Sequence, residues 1–224
     1  MAEFDAFAAT YEQSLDASIG ITGESFDYFA KYKAAYIARN VAPKGPAKIL
    51  DYGCGVGLLS KHLRALMPEK RVDGFDPSEE SILRIGPELQ VRGMFTSDEC
   101  LVGRDYDVIV IANVLHHVRP RERGELIRSV TLRLRAGGKL VIFEHNPMNP
   151  LTRRAVSRCA FDGDAVLLSQ GETRGYFPAR QFRVRRDYVV FFPRWLSWLR
   201  PLEPFLAWCP LGAQYVVTAL KTPA

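Results

Sequence analysis

Three glycines at alternate positions, Gly53, Gly55 and Gly57, follow a short apolar run in ILDYGCGVGLLS. Glycine lets a chain turn sharply and lets its backbone approach a ligand more closely than a Cβ would allow. The spacing is G-x-G-x-G, not the G-x-G-x-x-G of a dinucleotide site. By itself it reads as a tight turn or as the floor of a ligand site. Asp51, ending the apolar run, can accept a hydrogen bond or offset a ligand's positive charge. Asp76 in GFDPS comes 19 residues after Gly57, where a carboxylate can take hydrogen bonds from both hydroxyls of a ribose. Asp before Pro77 also serves as a turn former or helix cap. In FTSDEC, Thr96, Ser97 or Asp98 either faces a purine ring or only forms a polar loop.

Imidazoles form the second constellation: His116 and His117 in ANVLHHV, and His145 in FEHNP. A neutral imidazole can take the proton of a substrate hydroxyl as that oxygen becomes a nucleophile, an effect of typically ~10²–10⁴-fold. His117 and His145 are the candidate general bases, with His116 behind them. A structural duty is the alternative for each. His62, inside a helical stretch, reads as an exposed or helix-packing residue.

These residues need a scaffold. Residues 1–45 are polar–aromatic and helical in pattern, with Phe26, Phe29, Tyr32 and Tyr36 at helical spacing, and PKGPAK breaks the helix. From Lys48 strands and helices alternate. Strands are expected at AKILDYG, Arg71–Pro77, Leu89–Phe95, Tyr106–Leu115 and Lys139–Pro147. Helices are expected at Leu58–Met67, at SEESILRIG with Ser78 as N-cap, and over 120–135. Tyr106–Leu115 is nearly continuous in apolar residues, as a strand buried on both faces should be. The alternation means βαβ units and a parallel sheet. A helix over Leu151–Ala160 follows, then strands at Phe182–Phe192 and Ala213–Lys221. The last two lack a crossover helix and so form an antiparallel hairpin. In an open parallel sheet, ligands bind beyond the carboxyl ends of the strands near the switch point. The glycines, Asp76 and the histidines all fall there.

Composition sets the bounds. The chain has 224 residues, 47% hydrophobic and 25% charged, enough for one α/β domain with a full core. Its 30 basic and 25 acidic residues leave a net charge of +5. Arginines cluster at 119–123, 133–135, 153–158 and 180–186, as a solvated basic face or as a surface for an acidic, phosphorylated or membrane partner. No basic stretch interleaved with aromatics marks a nucleic-acid platform. Four cysteines without a C-x-x-C pair argue against a zinc site or disulfide framework and fit a reducing compartment. The acidic start, MAEFDAF, is unlike a secretory signal, and no apolar run approaches the ~20 residues needed to span a bilayer. A cytoplasmic location is expected.

Two segments carry open readings. NPMNP (146–150) either shapes a pocket or starts a helix with Asn149 as cap and Pro150 at its first position. Arg153, Arg154 and Arg158 beyond it bind an anionic group or form a solvated face. The stretch 193–212 holds all three tryptophans. It packs against the sheet, or closes as a lid over an apolar substrate, or makes a dimer contact or a membrane-surface foot.

ILDYGCGVG, GFDPS, DYDVIVIANVLHHV and LRAGGKLVIFEHNP, in this order and spacing, resemble the four main motifs of the class I S-adenosylmethionine-dependent methyltransferases. The likeness is nearest the small-molecule branch of the ubiquinone/menaquinone-biosynthesis enzymes. It implies a Rossmann-like, seven-stranded, mostly parallel sheet of order 3-2-1-4-5-7-6 with an antiparallel C-terminal hairpin and helices on both faces. It implies a helical lid or substrate segment over 1–45, and a cofactor-binding domain over 46–224 with an aromatic insert at 193–212. It also implies S-adenosyl-L-methionine as cofactor. Asp51, Gly53 and Gly55 would meet its amino acid part, Asp76 with Pro77 its ribose, and the loop of Thr96 and Ser97 its adenine. Asn113 would line the methionine end, and Tyr11 would lie over the cofactor from the N-terminal segment.

The expected reaction is methyl transfer to a small molecule, partly apolar and anionic or lipid-linked, at oxygen before nitrogen or carbon, without a metal. The protein need mainly hold the reacting atoms in line and exclude water. No N-P-P-Y or D-P-P-Y signature of amino-methylating nucleic-acid enzymes is present. The expected assembly is a monomer or homodimer. Two other readings compete: a nicotinamide-dependent oxidoreductase, disfavoured by the glycine spacing and the lack of a Tyr-x-x-x-Lys dyad, and a catalytically silent cofactor-binding subunit.

Overall fold

In the computed structural model, which describes residues 23–159 and 163–223, the strands sort their side chains onto two faces with period two. Ile49, Val108, Val110, Val141 and Phe143 enter one apolar layer, and Leu50, Ile109, Ile111, Leu140 and Ile142 enter the other. Successive Cβ atoms point to opposite sides of a sheet, so strands covered on both faces are apolar almost throughout. The strands are β1 (Lys48–Tyr52), β2 (Arg71–Phe75), β3 (Phe95–Thr96), β4 (Tyr106–Ala112), β5 (Leu134–His145), β6 (Phe182–Val189) and β7 (Gln214–Lys221). Their order is β3-β2-β1-β4-β5-β7-β6, as the motifs imply. β1 to β5 pair in parallel, and β7 runs antiparallel to both of its neighbours.

Helices α1 (Phe26–Asn40) and α2 (Leu58–Leu66) cover the Ile49 face, with Phe29, Tyr36, Ile37, Leu59 and Leu63 in its core. Helix α5 (Pro120–Thr131) covers the other with Ile127 and Val130. Short helices α3 (Glu79–Leu83) and α4 (Pro87–Gln90) follow β2, and α6 (Pro150–Val156) and α7 (Gln170–Gly175) follow β5. Ser78 caps α3 as expected, its Oγ accepting from the Ser81 N–H at 3.2 Å. From β1 the chain winds outward to β3, then returns to the opposite side of β1 as β4. That reversal opens a crevice at the carboxyl ends of β1 and β4.

Several elements differ from the sequence expectation. The strand expected at Leu89–Phe95 contracts to Phe95–Thr96, because Pro87 suits a first helical turn and starts α4 through Leu89 and Gln90. The helix expected to 135 stops at Thr131, and β5 begins at Leu134, which pairs with Tyr106 across an irregularity in register. β6 ends at Val189 rather than Phe192 because Val190 has φ +60°, which no ladder accommodates. The helix expected over Leu151–Ala160 spans Pro150–Val156, and α7 carries no strong sequence signal. The tryptophan insert meets the end of β6 with part of its length, the Tyr188 N–H donating to the Ala207 carbonyl at 2.7 Å. It forms 3₁₀ turns over Arg194–Leu206, and its large aromatics face outward.

No helix among the described residues is long and apolar enough to cross a membrane.

Candidate functional site

β1 delivers Asp51 and then the glycine turn. The N–H groups of Gly53 and Cys54 both donate to the Phe75 carbonyl, at 2.7 and 2.9 Å, lashing the turn to β2. Gly53 has φ +81°, and a Cβ there would run into Val114. Gly55 has φ +52° but meets nothing within 4 Å in that direction. The first glycine is therefore demanded by packing, and the second leaves an open floor. Asp76 spans the turn from β2, one carboxylate oxygen accepting from the Gly55 N–H at 2.8 Å and the other from the Ser78 N–H at 3.0 Å. Asp76 thus organises the turn, and it also lines the cavity above.

Asp51 is buried, and its carboxylate accepts from the Ser60 hydroxyl at 2.7 Å. Burial pushes its pKa up to about 6; the Ser60 hydrogen bond pulls against this and Asp76 reinforces it. Opposite, α1 buries Lys33 on its inner stripe between Phe29 and Ile37. Desolvation lowers its pKa to about 8, against the attraction of Glu144 and Asp51. The Lys33 ammonium donates to the side-chain oxygen of Asn113. Asn113, just past β4, holds φ +58°, a conformation that asparagine tolerates better than most residues. Its amide nitrogen is buried without a hydrogen-bond partner among the described residues. Native interiors rarely leave such a donor without a water, an ion or a ligand to meet it.

The β4 and β5 ends carry the imidazoles. Glu144 is fully buried; one oxygen accepts from the Leu115 N–H at 2.7 Å and the other lies 2.6 Å from Nδ1 of His116. Burial works to raise the Glu144 pKa, yet the charges and hydrogen bonds of His116, His145 and Leu115 hold it below the ordinary carboxylate range. The His116 ring lies 4.1 Å from His117 and 5.1 Å from His145, centroid to centroid. An imidazole fixed by a buried carboxylate thus backs the two candidate bases.

One cavity of about 800 Å³ collects Asp51, Gly53, Gly55, Asp76, Pro77, Asn113, His117 and His145. Thr96 and Ser97 are not among its lining residues; the Thr96 hydroxyl accepts from the Asp98 N–H at 3.0 Å. Tyr11 lies outside the described residues. Lys33 and Glu99, which no motif marks, also line the cavity, and His116, the imidazole the motifs put least forward, sits against the buried Glu144 carboxylate. Lys33 had a signal: a lysine in register with Phe29 and Ile37 sits on the apolar stripe of its helix. Among the lining residues the acidic side chains are Glu24, Asp51, Asp76 and Glu99, against the single lysine Lys33. Among the described residues no cluster of three or more His, Cys, Asp or Glu side chains could hold a metal ion.

NPMNP likewise takes both roles. Oδ1 of Asn149 caps α6 by accepting from Leu151 and Thr152, with Pro150 at the first turn, and Asn149 also lines the cavity. His62 pairs with Asp27 at 2.7 Å, joining α2 to α1.

Comparison with known proteins places this architecture. A methyltransferase of Geobacillus sp. (strain WCH70) is 30% identical over 142 residues, 62% of this chain and 63% of the relative. The chain thus spans less than two thirds of the curated relatives it first matches. The crystal structure of a SAM-dependent methyltransferase from Archaeoglobus fulgidus superposes with a TM-score of 0.66 at 16% identity, covering 86% of this chain and 94% of that one. Magnesium protoporphyrin IX methyltransferase from Synechocystis PCC 6803 superposes with a TM-score of 0.60 at 15% identity, covering 93% and 84%. The family model described as a methyltransferase domain matches residues 26–185, and with the strand order and the glycine turn it shows that the chain belongs to the methyltransferase-domain family, with a class I S-adenosylmethionine-dependent methyltransferase fold.

Proposed function

We propose that this protein transfers a methyl group from S-adenosyl-L-methionine to a small-molecule acceptor with an apolar portion, at an oxygen atom. The observation that carries the reading is the charge and shape of the cavity at the switch point. Of the four acidic side chains lining it, Glu24 pairs with Arg200 and Glu99 with Arg133, which leaves Asp51 and Asp76 with one lysine of lowered basicity around an open glycine floor. Such a site favours a cationic ligand, and a sulfonium is one. The unmet amide of Asn113 and the open space at Gly55 fit the cofactor's amino acid end, alongside Asp51 and Gly53. Asp76 and Pro77 would hold the ribose. Tyr52 and Phe75, with ring centroids 4.8 Å apart and planes inclined at 43°, give the same wall an apolar surface for the base. Bound there, the cofactor would supply a methyl carbon made electrophilic by its sulfonium, with the neutral thioether as the leaving group.

The chain's own contribution is positioning and proton handling. Phe29, Val114, Val118, Phe191 and Phe192 make the rest of the cavity largely apolar, which suits an acceptor with a hydrophobic body and keeps water out. His117 takes the acceptor's proton, with His145 as second candidate, and the Glu144–His116 pair holds the imidazole cluster in place.

Calorimetric titration of the purified protein with S-adenosylmethionine and, separately, NADH tests the cofactor. Binding of the first alone is expected, and binding of NADH alone would reverse the assignment. Release of S-adenosylhomocysteine across a panel of phenolic and hydroxylated apolar acceptors tests catalysis. His117→Ala should lower turnover much more than cofactor affinity; an equal loss in both would make His117 a binding residue.

A further inference from the structure

The insert between β6 and β7 has a sidedness opposite to that of an ordinary surface segment. Leu196, Leu199, Glu203 and Leu206 recur every three to four residues on its inner side, half-buried or buried. On the outer side stand Trp195, Trp198, Phe205 and Trp208, which are 71, 72, 76 and 77% exposed, with Leu202 and Leu211 between and beyond them. In 3₁₀ geometry, residues three apart eclipse one another. Leu202 and Phe205 therefore stand one above the other, Trp208 follows just past the end at Leu206, and Trp195 and Trp198 flank the non-helical Leu196.

The outward aim is built in. Glu203 accepts from the N–H groups of Phe191 and Phe192, at 3.1 and 3.2 Å, and from the Tyr32 hydroxyl at 3.3 Å. Arg200 pairs with Glu24 and lies over the Tyr28 ring at 4.4 Å. Side-chain amides of Asn146 and Asn149 donate to the carbonyls of Pro210, Gly212 and Leu211. The last contact brings the insert against α6, where Met148 and Leu151 add to the exposed apolar surface.

The exposed charges that these two segments carry have one sign. Arg194 on the insert, Arg153 and Arg154 on α6 and Arg158 in the turn after it are exposed. Residues 146–159 contain no acidic side chain, and the only one in 193–212 is Glu203, which is buried. A two-fold copy of this chain docking here would bring arginines toward arginines. Anionic headgroups above an apolar layer complement both features at once, because tryptophan favours the membrane interface and each nearby arginine adds attraction.

We infer that this aromatic–arginine face is a membrane-surface foot, seating in the headgroup region of a bilayer that contains anionic lipid. Leu151 and Trp195 belong both to the foot and to the cavity wall, so the cavity opens on the docked face. Resting on the proposed function, this means that the acceptor's apolar part reaches the site from the lipid side; the docking itself does not depend on that reading.

The test is co-sedimentation of the full chain with vesicles of phosphatidylcholine, alone or with about one third phosphatidylglycerol, beside a Trp198→Glu, Phe205→Glu, Trp208→Glu variant. None of the three residues lines the cavity. The wild type should pellet with the anionic vesicles, with a blue-shifted tryptophan emission, and weaken at high salt. The variant should keep its melting temperature and its S-adenosylmethionine affinity while its bound fraction falls at least roughly tenfold. A wild type that stays in solution with both vesicles overturns the inference, as does a variant that binds vesicles as well as the wild type. Equal binding to pure phosphatidylcholine removes the anionic requirement. A wild-type dimer that the substitutions split, without vesicle binding, assigns the face to a second copy. Cofactor affinity is read in the same samples, so loss of the methyltransferase reading and loss of the foot are distinguishable.

Discussion

The cavity floor and the insert break the usual segregation of residues in opposite directions. Inside, Lys33, Asp51, Glu144 and His116 are buried where a domain of this size would ordinarily place aliphatic side chains. Outside, three tryptophans and a phenylalanine stand exposed where charged residues are the norm. The inner violations are compensated by hydrogen bonds: Asp51 to Ser60, Glu144 to Leu115 and His116, Lys33 to Asn113. The outer ones have no such compensation among the described residues, only a scaffold that holds them outward. A buried charge that is fully hydrogen-bonded points to a preorganised site, whereas exposed apolar surface points to a missing partner.

The difference is open to experiment, and the interior should respond most. Glu144→Ala strands the His116 ring and the Leu115 N–H in a dry core and should cost about 3–5 kcal/mol of stability, read by denaturant unfolding. A loss under about 1 kcal/mol would mean that the pair is replaceable packing.

Next comes the pH dependence that buried charge imposes. The folded chain holds a proton on Asp51 up to about pH 6 that the unfolded chain releases near its ordinary value of 3.8. Stability from this group is fully present below about pH 4 and is lost as pH rises through about 6, on the order of 3 kcal/mol. Lys33 works the other way, its contribution being present above about pH 10 and lost as pH falls through about 8. Melting curves of the wild type and Asp51→Asn from pH 4 to 7 should converge in acid and separate toward neutrality, with the variant the more stable there. Parallel curves would show that Asp51 keeps its solution pKa.

The glycine turn sharpens the comparison on a smaller scale. Gly53→Ala meets both a positive φ and the Val114 side chain, and should destabilise by about 2–3 kcal/mol. Gly55→Ala meets only the positive φ, at about 1–2 kcal/mol, yet puts a methyl group on the cofactor floor. Calorimetry should find S-adenosylmethionine binding lost in Gly55→Ala, with its melting temperature lowered less than that of Gly53→Ala. The reverse ranking of the two alanines would move the floor to Gly53. The smallest effect belongs outside: Trp198→Ser should change unfolding free energy by less than about 0.5 kcal/mol, since its ring packs little in the folded chain. A large loss would show that the ring is part of the core after all.

Period-two apolar runs at ILD and DVIVIA, glycines at fixed offsets and Asp76 at the end of β2 were readable because each is local. They carry the strand order, the crevice and most of the cavity wall. What local pattern misread is equally specific. LQVRGMF has strand composition, but Pro87 starts a helix there and leaves only Phe95–Thr96 to pair with β2. For the tryptophan insert, hydrophobicity left packing, a lid, a dimer contact and a membrane-surface foot all open, because it does not state which way a face points. His117 and His145 were chosen by their place at strand ends, while the partnership of His116 with Glu144 spans 28 positions and exists only once β4 and β5 lie side by side.

The sequence by itself determined the sheet, its switch point and the glycine–aspartate floor, because those follow from backbone freedom and alternation along neighbouring residues. Tertiary structure alone decided which charges are buried together, how far burial shifts Asp51 and Lys33, and that the aromatic insert faces outward. Those properties depend on desolvation and on contacts between residues far apart in the chain, and neither is a property of any short stretch.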